Sequence, residues 1–149
     1  RPAQLDVRRD RWFAAERVAF DEVPMRDREL KPRLARLIAQ AREAMHGDAV
    51  AGPAQLVHSD LAGNVLLDRA GAPVVIDVAP AWRPVQWADA VCVLDCVLWA
   101  GASPSVLGRW AHGQARAAML RAMIPRGFKL MTRASTIPSV RASIAAAST

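Results

Sequence analysis

The sequence predicts a mainly helical α+β fold, a single domain spanning residues 1–149. Three observations predict it. Apolar residues recur at helical spacing between Leu30 and Met45. Two short runs rich in β-branched residues, Asn64-Val-Leu-Leu67 and Pro73-Val-Val-Ile-Asp77, flank the turn-like Asp68-Arg-Ala-Gly-Ala72. The segment from Gln86 to Ala100 is apolar on nearly all sides, as in a helix buried mid-domain.

Residues 1–27 read as charged and irregular, with Trp12, Phe13, Val18 and Phe20 as packing anchors. The next segment carries Leu30, Leu34, Leu37, Ile38, Ala41 and Met45 on one stripe. Pro32 stands near its start and Gly47 just past its end, which are helix start and stop signals. Gln55-Leu-Val-His58 has the texture of a short strand, and the two β-branched runs with their turn form a β-hairpin. A turn centred on Ala70 and Gly71 sets Asn64 opposite Asp77, with Cα atoms about 5 Å apart. Helix returns after Pro84 and ends at Gly101. Ser103-Pro104 then starts another in an N-cap/N1 arrangement, over about residues 104–123, interrupted by Gly108 and Gly113 and stopped by Pro125. Residues 126–149 read as a poorly patterned basic tail, with the Ile137-Pro138 break and an Ala-rich end as a frayed last helix.

The composition is that of an ordinary soluble globular domain, 52% hydrophobic and 23% charged, which excludes a disordered chain. The uncharged run Cys96–Gly108 is too short for the ~20 apolar residues of a membrane span. No apolar segment of a signal peptide stands at the N-terminus. Without an initiator Met, the chain is expected to be processed or part of something longer. The net charge of +6 invites a nucleic-acid reading. Against it, the arginines are scattered, often beside acids, and no Lys/Arg block interleaves with aromatics. Cys92 and Cys96 would share a helical face, the spacing of a zinc dyad, but no His or second Cys pair completes four ligands. Buried free thiols in a reducing cytoplasm are expected instead.

The polar residues of the hairpin region carry the chemistry. Asp60 stands just before the first hairpin strand, at the open end where Asn64 and Asp77 are expected. One carboxamide and two carboxylates suit a hard divalent cation such as Mg²⁺, which takes one or two carboxylates and fills its other positions with water and phosphate oxygens. Phosphoryl transfer needs such an ion, and a carboxylate to orient the attacking hydroxyl and accept its proton.

His58-Ser-Asp60-Leu-Ala-Gly-Asn64-Val-Leu66 followed by Val75-Ile-Asp77 resembles the H-G-D-L…N-[IV]-L…[VI]-I-D signature of the aminoglycoside phosphotransferase and choline kinase superfamily, relatives of the protein kinases. Ala79-Pro-Ala-Trp-Arg-Pro84 is similar to a less-characterised bacterial branch of it. The resemblance is dense from about Gln55 to Trp99 and implies a protein-kinase-like C-terminal lobe with a small β-hairpin at its active face. It implies phosphorylation of a small-molecule hydroxyl by ATP (or GTP). Asp60 would be the catalytic base, Asn64 and Asp77 would hold Mg²⁺ at the nucleotide phosphates, and His58 would brace the loop. Asp89 and Asp95 are both candidates for the acid that ties the loop down from the following helix.

Three departures stand against the family pattern. The step from Asp60 to Asn64 is four residues where five is usual, and Ser59 replaces the common Gly. No glycine-rich Gly-x-Gly-x-x-Gly is present, and the lysines, Lys31 and Lys129, do not sit in a strand of the kind that reaches nucleotide phosphates. The nucleotide-clamping N-terminal lobe is thus expected from a longer parent chain or a partner. A non-catalytic remnant or pseudokinase binding module is the alternative. Plainer readings exist for single residues: Asp60 as a turn or N-cap residue, Asn64 at a strand edge, and Trp82, Trp87 and Trp99 as packing residues, with substrate stacking by Trp82 the other option.

Overall fold

The computed structural model describes residues 11–24, 32–45, 50 and 52–134. Leu30, Lys31, Gly47 and the Ile137-Pro138 break lie outside them. Helices α1 (Arg11–Ala19) and α2 (Pro32–Ala44) come first. Four short strands follow, β1 (Gln55–His58), β2 (Val65–Leu67), β3 (Pro73–Val75) and β4 (Pro80–Arg83). Helix α3 (Val85–Trp99), a 3₁₀ segment (Pro104–Trp110) and the long α4 (Gly113–Ala134) complete the order. The architecture is α+β, mainly helical, with two small antiparallel sheets, β1–β4 and β2–β3.

Helix α4 is the centre of packing, touching α1, α2 and α3. Ala117, Ala118 and Ala122 are fully buried on it, and their lack of bulk lets neighbouring helices approach closely. One apolar cluster joins Trp87, Ala90, Val91 and Leu94 of α3 to Ala118, Met119 and Ala122 of α4. A second joins Val18 and Ala19, Ile38 and Met45, and Ile124. The predicted stripe of α2 thus supplies Ile38, Ala41 and Met45 to the interior, whereas Leu37 faces solvent.

Residues 11–19, read from sequence as irregular, are helical. Phe13, Ala15, Val18 and Ala19 are buried, and the polar residues between them still find partners. Glu16, buried, accepts a 2.7 Å hydrogen bond from Nε of Arg83 at the end of β4, and Glu22 pairs with Nη1 of the same guanidinium. That guanidinium also lies 4.1 Å from the Phe20 ring centroid, while Phe20 meets Trp87 edge-on. Burial alone would weaken the Arg83 proton, but the hydrogen bonds and charges of Glu22 and Glu16 outweigh it and the net shift is upward. This buried cluster fixes α1 to the sheet region.

Pro125 does not stop the last helix. It lies inside α4, which runs on to Ala134, and residues 126–134 are helical instead of an unpatterned tail. Ile124 fills the second apolar cluster on one side of the proline, and Arg126 is buried on the other. Tertiary anchors on both flanks override the helix-breaking propensity. The Ser103-Pro104 start is as read, with Ser103 Oγ accepting from Ser105 N–H at 3.3 Å, but what it starts is a 3₁₀ segment that gives way to α4 at Gly113.

Cys92 and Cys96 are free and half-buried. Burial and the neighbouring Cys96 push the Cys92 thiol upward, so it stays protonated and weakly nucleophilic.

Candidate functional site

The four strands form a long hairpin interrupted in its middle. The outer ladder pairs β2 with β3, and the inner ladder pairs β1 with β4, with His58 opposite Pro80. Between the ladders lie residues 59–64 on one side and 76–79 on the other. Asp60, Asn64 and Asp77 all fall in this gap. They are there because β1 runs into it, β2 leaves it, and the returning chain must cross it before β4.

The hairpin register differs by one from that expected. Val65 pairs with Val75 and Leu67 with Pro73, so Asn64 stands opposite Ile76, whose N–H donates to the Asn64 carbonyl at 2.9 Å. Asp77 lies one residue beyond. The cause is the turn. Asp68 N–H donates to the Ala72 carbonyl at 2.9 Å, and Asp68 Oδ1 accepts from the N–H groups of Ala70 and Ala72, both at 2.8 Å. Asp68 and Ala72 therefore close the loop, leaving three residues, Arg69 to Gly71, with Gly71 at φ 82°. A three-residue loop with a left-handed final residue replaces the expected two-residue turn. Asp77 itself has φ 47°, a left-handed conformation for a non-glycine residue. Such strain, about 1–3 kcal/mol, gathers at functional sites, though aspartate tolerates it better than most residues.

The loop after β1 is held from several directions. The His58 ring lies across the gap, with Asp60 N–H 3.2 Å from Nδ1 and Ala79 N–H 3.3 Å from Nε2. A neutral imidazole offers one lone pair, so it accepts from one of these at a time. Ser59 spans the same gap, donating from its N–H at 2.8 Å and its hydroxyl at 3.1 Å to the Ala79 carbonyl. Asn64 Nδ2 donates to the Asp60 carbonyl at 2.6 Å, and Asn64 N–H to the Leu61 carbonyl at 2.9 Å. The turn between them uses Gly63 at φ 86°.

Of the two acids on α3, Asp95 reaches this loop, and it does so through Arg126. Asp95 is 1% exposed and takes a two-pronged contact from Nε and Nη2 of Arg126. Trp99 Nε1 adds a 3.1 Å donation to Asp95 Oδ1. Arg126 Nη2 then continues to the Ser59 carbonyl at 2.8 Å and to Asp60 Oδ1 at 3.0 Å. Lys129 Nζ meets the same Oδ1 at 2.7 Å. Asp89 is exposed near the start of α3. The sequence pattern puts Arg126 and Lys129 in an unpatterned tail, whereas both lie on α4. The one signal for them was the unpaired acid at Asp95 in an apolar helix, which demanded a buried cation.

Asp60 is thus pinned through Oδ1, and no described residue donates to its Oδ2. Asn64 Oδ1 and the exposed Asp77 carboxylate likewise meet no donor among the described residues. Those residues contain no group of three or more His, Cys, Asp or Glu placed to hold a metal. Carboxylate and carboxamide oxygens are hard donors, the chemistry that would suit Mg²⁺ and not zinc. No helix among the described residues is long and apolar enough to cross a membrane. No family model, curated protein or solved structure matches the chain.

Proposed function

We propose that the chain is the catalytic-loop lobe of a kinase-like phosphotransferase, moving the γ-phosphate of ATP or GTP to a small-molecule hydroxyl. The observation that carries the reading is the gap between the two ladders, in whose two segments Asp60, Asn64 and Asp77 all fall, while a buried network fixes one oxygen of Asp60. In this reading Asp60 Oδ2 receives the hydroxyl proton and Asn64 and Asp77 hold Mg²⁺. His58, Ser59 and the Asp95–Arg126 pair keep the loop in place. When bound, the ion supplies charge neutralisation at the nucleotide phosphates.

The reading needs a second lobe, from a longer chain or a partner, to clamp the nucleotide. The hairpin is consistent with one. Leu66, Leu67, Val74 and Val75 are 53%, 71%, 45% and 47% exposed on a two-stranded ribbon, a form marginally stable by itself in water. A second reading, a non-catalytic binding module, is favoured by the two cations on Asp60, which compete with its use as a base.

Calorimetry with MgATP separates these readings. The 149-residue chain is expected to bind weakly, and Asp77→Asn to abolish the binding. Equal binding by the variant contradicts the metal role. Micromolar affinity in the chain alone contradicts the need for a second lobe.

A further inference from the structure

Cys92 and Cys96 are the two thiols of the chain, and the network around the Asp60 loop uses neither. Both lie inside α3, one helical turn apart, and both are free and half-buried. Residues four apart on a helix carry Cβ atoms about 5–6 Å from each other. A disulfide needs about 3.5–4.5 Å, so the helix would have to unwind to make one. The sulfurs nevertheless meet, with the Cys92 thiol in hydrogen-bond contact with Cys96. Two reduced thiols are thus held side by side and within reach of solvent. The helix that carries them is locked into the core by Trp87, Val91 and Leu94.

We propose that Cys92 and Cys96 form a two-sulfur site for a soft univalent metal ion, Cu(I) in the first place; the site stands apart from the phosphotransferase reading. The ligand set decides the class of ion, since thiolates select soft metals. Zinc closes its sphere with four ligands, and the described residues hold no group of three or more His, Cys, Asp or Glu placed for a metal. A closed-shell univalent ion accepts two sulfurs in line. With metal–sulfur bonds of about 2.3 Å those sulfurs stand roughly 4.6 Å apart, which side chains rooted about 5–6 Å apart reach by small rotations. The surroundings also favour a cation. After burial, what keeps the proton on Cys92 is the Cys96 sulfur, then the carboxylates of Asp95 and Asp89. Asp95 is paired with Arg126, and Asp89 is exposed near the start of the helix. Neighbours that hold a proton on sulfur favour any cation able to displace it. On binding, both S–H bonds break, two sulfur–metal bonds form and two protons leave to solvent, with no change of oxidation state. Burial disfavours two bare thiolates, and the charge of the ion offsets one of them.

Titration of the reduced 149-residue chain with Cu(I), against a chromophoric Cu(I) chelator and without oxygen, tests this. One ion per chain is expected. Losing a group that merely supports a metal ligand costs about 10–100-fold in affinity, so Cys92→Ser and Cys96→Ser should each weaken binding about hundredfold or more. Zn²⁺ at the same concentration should not displace the ion. X-ray absorption at the copper edge of the wild-type complex should show two sulfur neighbours and no further donor, a readout that needs no variant to fold. Wild type failing to compete with the chelator overturns the site, as does either serine variant binding as wild type. One ion shared by two chains, three or more donors at the ion, or displacement by zinc overturns the two-sulfur assignment.

Discussion

Replacing Asp95 with alanine is expected to lower the unfolding free energy by about 3–5 kcal/mol, the cost of stranding one member of a buried ion pair. Asp95 is 1% exposed and Arg126 is 7% exposed, so the guanidinium left behind keeps its contacts to Asp60 and the Ser59 carbonyl through Nη2 but has little water to replace what Asp95 gave it. The loss is a large part of the roughly 5–15 kcal/mol that holds a domain together. The 3.1 Å hydrogen bond from Trp99 Nε1 to Asp95 would be lost at the same time. Urea unfolding of Asp95→Ala, beside the double variant Asp95→Leu/Arg126→Met, reads the effect. The double variant should recover much of the loss, because two apolar side chains of similar volume remove the stranded charge. A single variant within ~1 kcal/mol of wild type contradicts the burial of the pair. Even where the double variant folds well, it has lost the link between α3, α4 and the Ser59–Asp60 loop.

Trp87→Ala is expected to cost about 3–5 kcal/mol, since truncating a buried tryptophan leaves a cavity the neighbours cannot fill. Trp87 is 1% exposed and sits in the α3–α4 cluster, with its ring centroid 5.6 Å from that of Phe20. Phe20 in turn lies beneath Arg83, so the loss also loosens the cluster that fixes α1 to β4. Trp87→Phe should be mild, under about 1.5 kcal/mol. The indole Nε1 is buried without an acceptor among the described residues, and phenylalanine removes that unsatisfied donor. Near-ultraviolet circular dichroism during urea unfolding follows both variants. Comparable losses in the two contradict the assignment of the effect to a cavity.

What the sequence made legible follows from the range of the interactions involved. Helices α2 and α3 and the β2–β3 hairpin were readable because their signals are local: apolar periodicity, or β-branched runs around a glycine turn. The register was missed by one residue because the Asp68 side chain closes the loop, and a loop one residue longer shifts every pair beyond it. Strand β4 was not read as a strand. It begins with Pro80, which cannot donate to a ladder, and is followed by Pro84. Helix α1 was missed because nine residues of mixed charge carry little periodicity, and their docking depends on Arg83 far along the chain. Pro125 signals a helix end locally, but local propensity does not register that Ile124 and Arg126 are both anchored.

The gap residues Asp60, Asn64 and Asp77 were visible as a motif. Arg126 and Lys129 were not, because they meet the loop from 66 and 69 residues away and belong to no local pattern. Spacing left the choice between Asp89 and Asp95 open, and only the packing of α4 against α3 shows which of the two reaches the loop. The cross-strand pairing that the metal-ligand expectation assumed does not form. Asn64 and Asp77 are not cross-strand partners, and Asp77 departs from the strand in a left-handed turn. That turn, rather than a regular β-pair, sets where its carboxylate emerges.

Paramagnetic line broadening by Mn²⁺, followed residue by residue in the amide spectrum, tests the site most directly. The ion should extinguish the signals of Asn64, Ile76 and Asp77 first, at concentrations that leave those of Asp68 and Asp89 intact. Broadening that begins at Asp68 or Asp89 and spares the gap between the ladders contradicts the account.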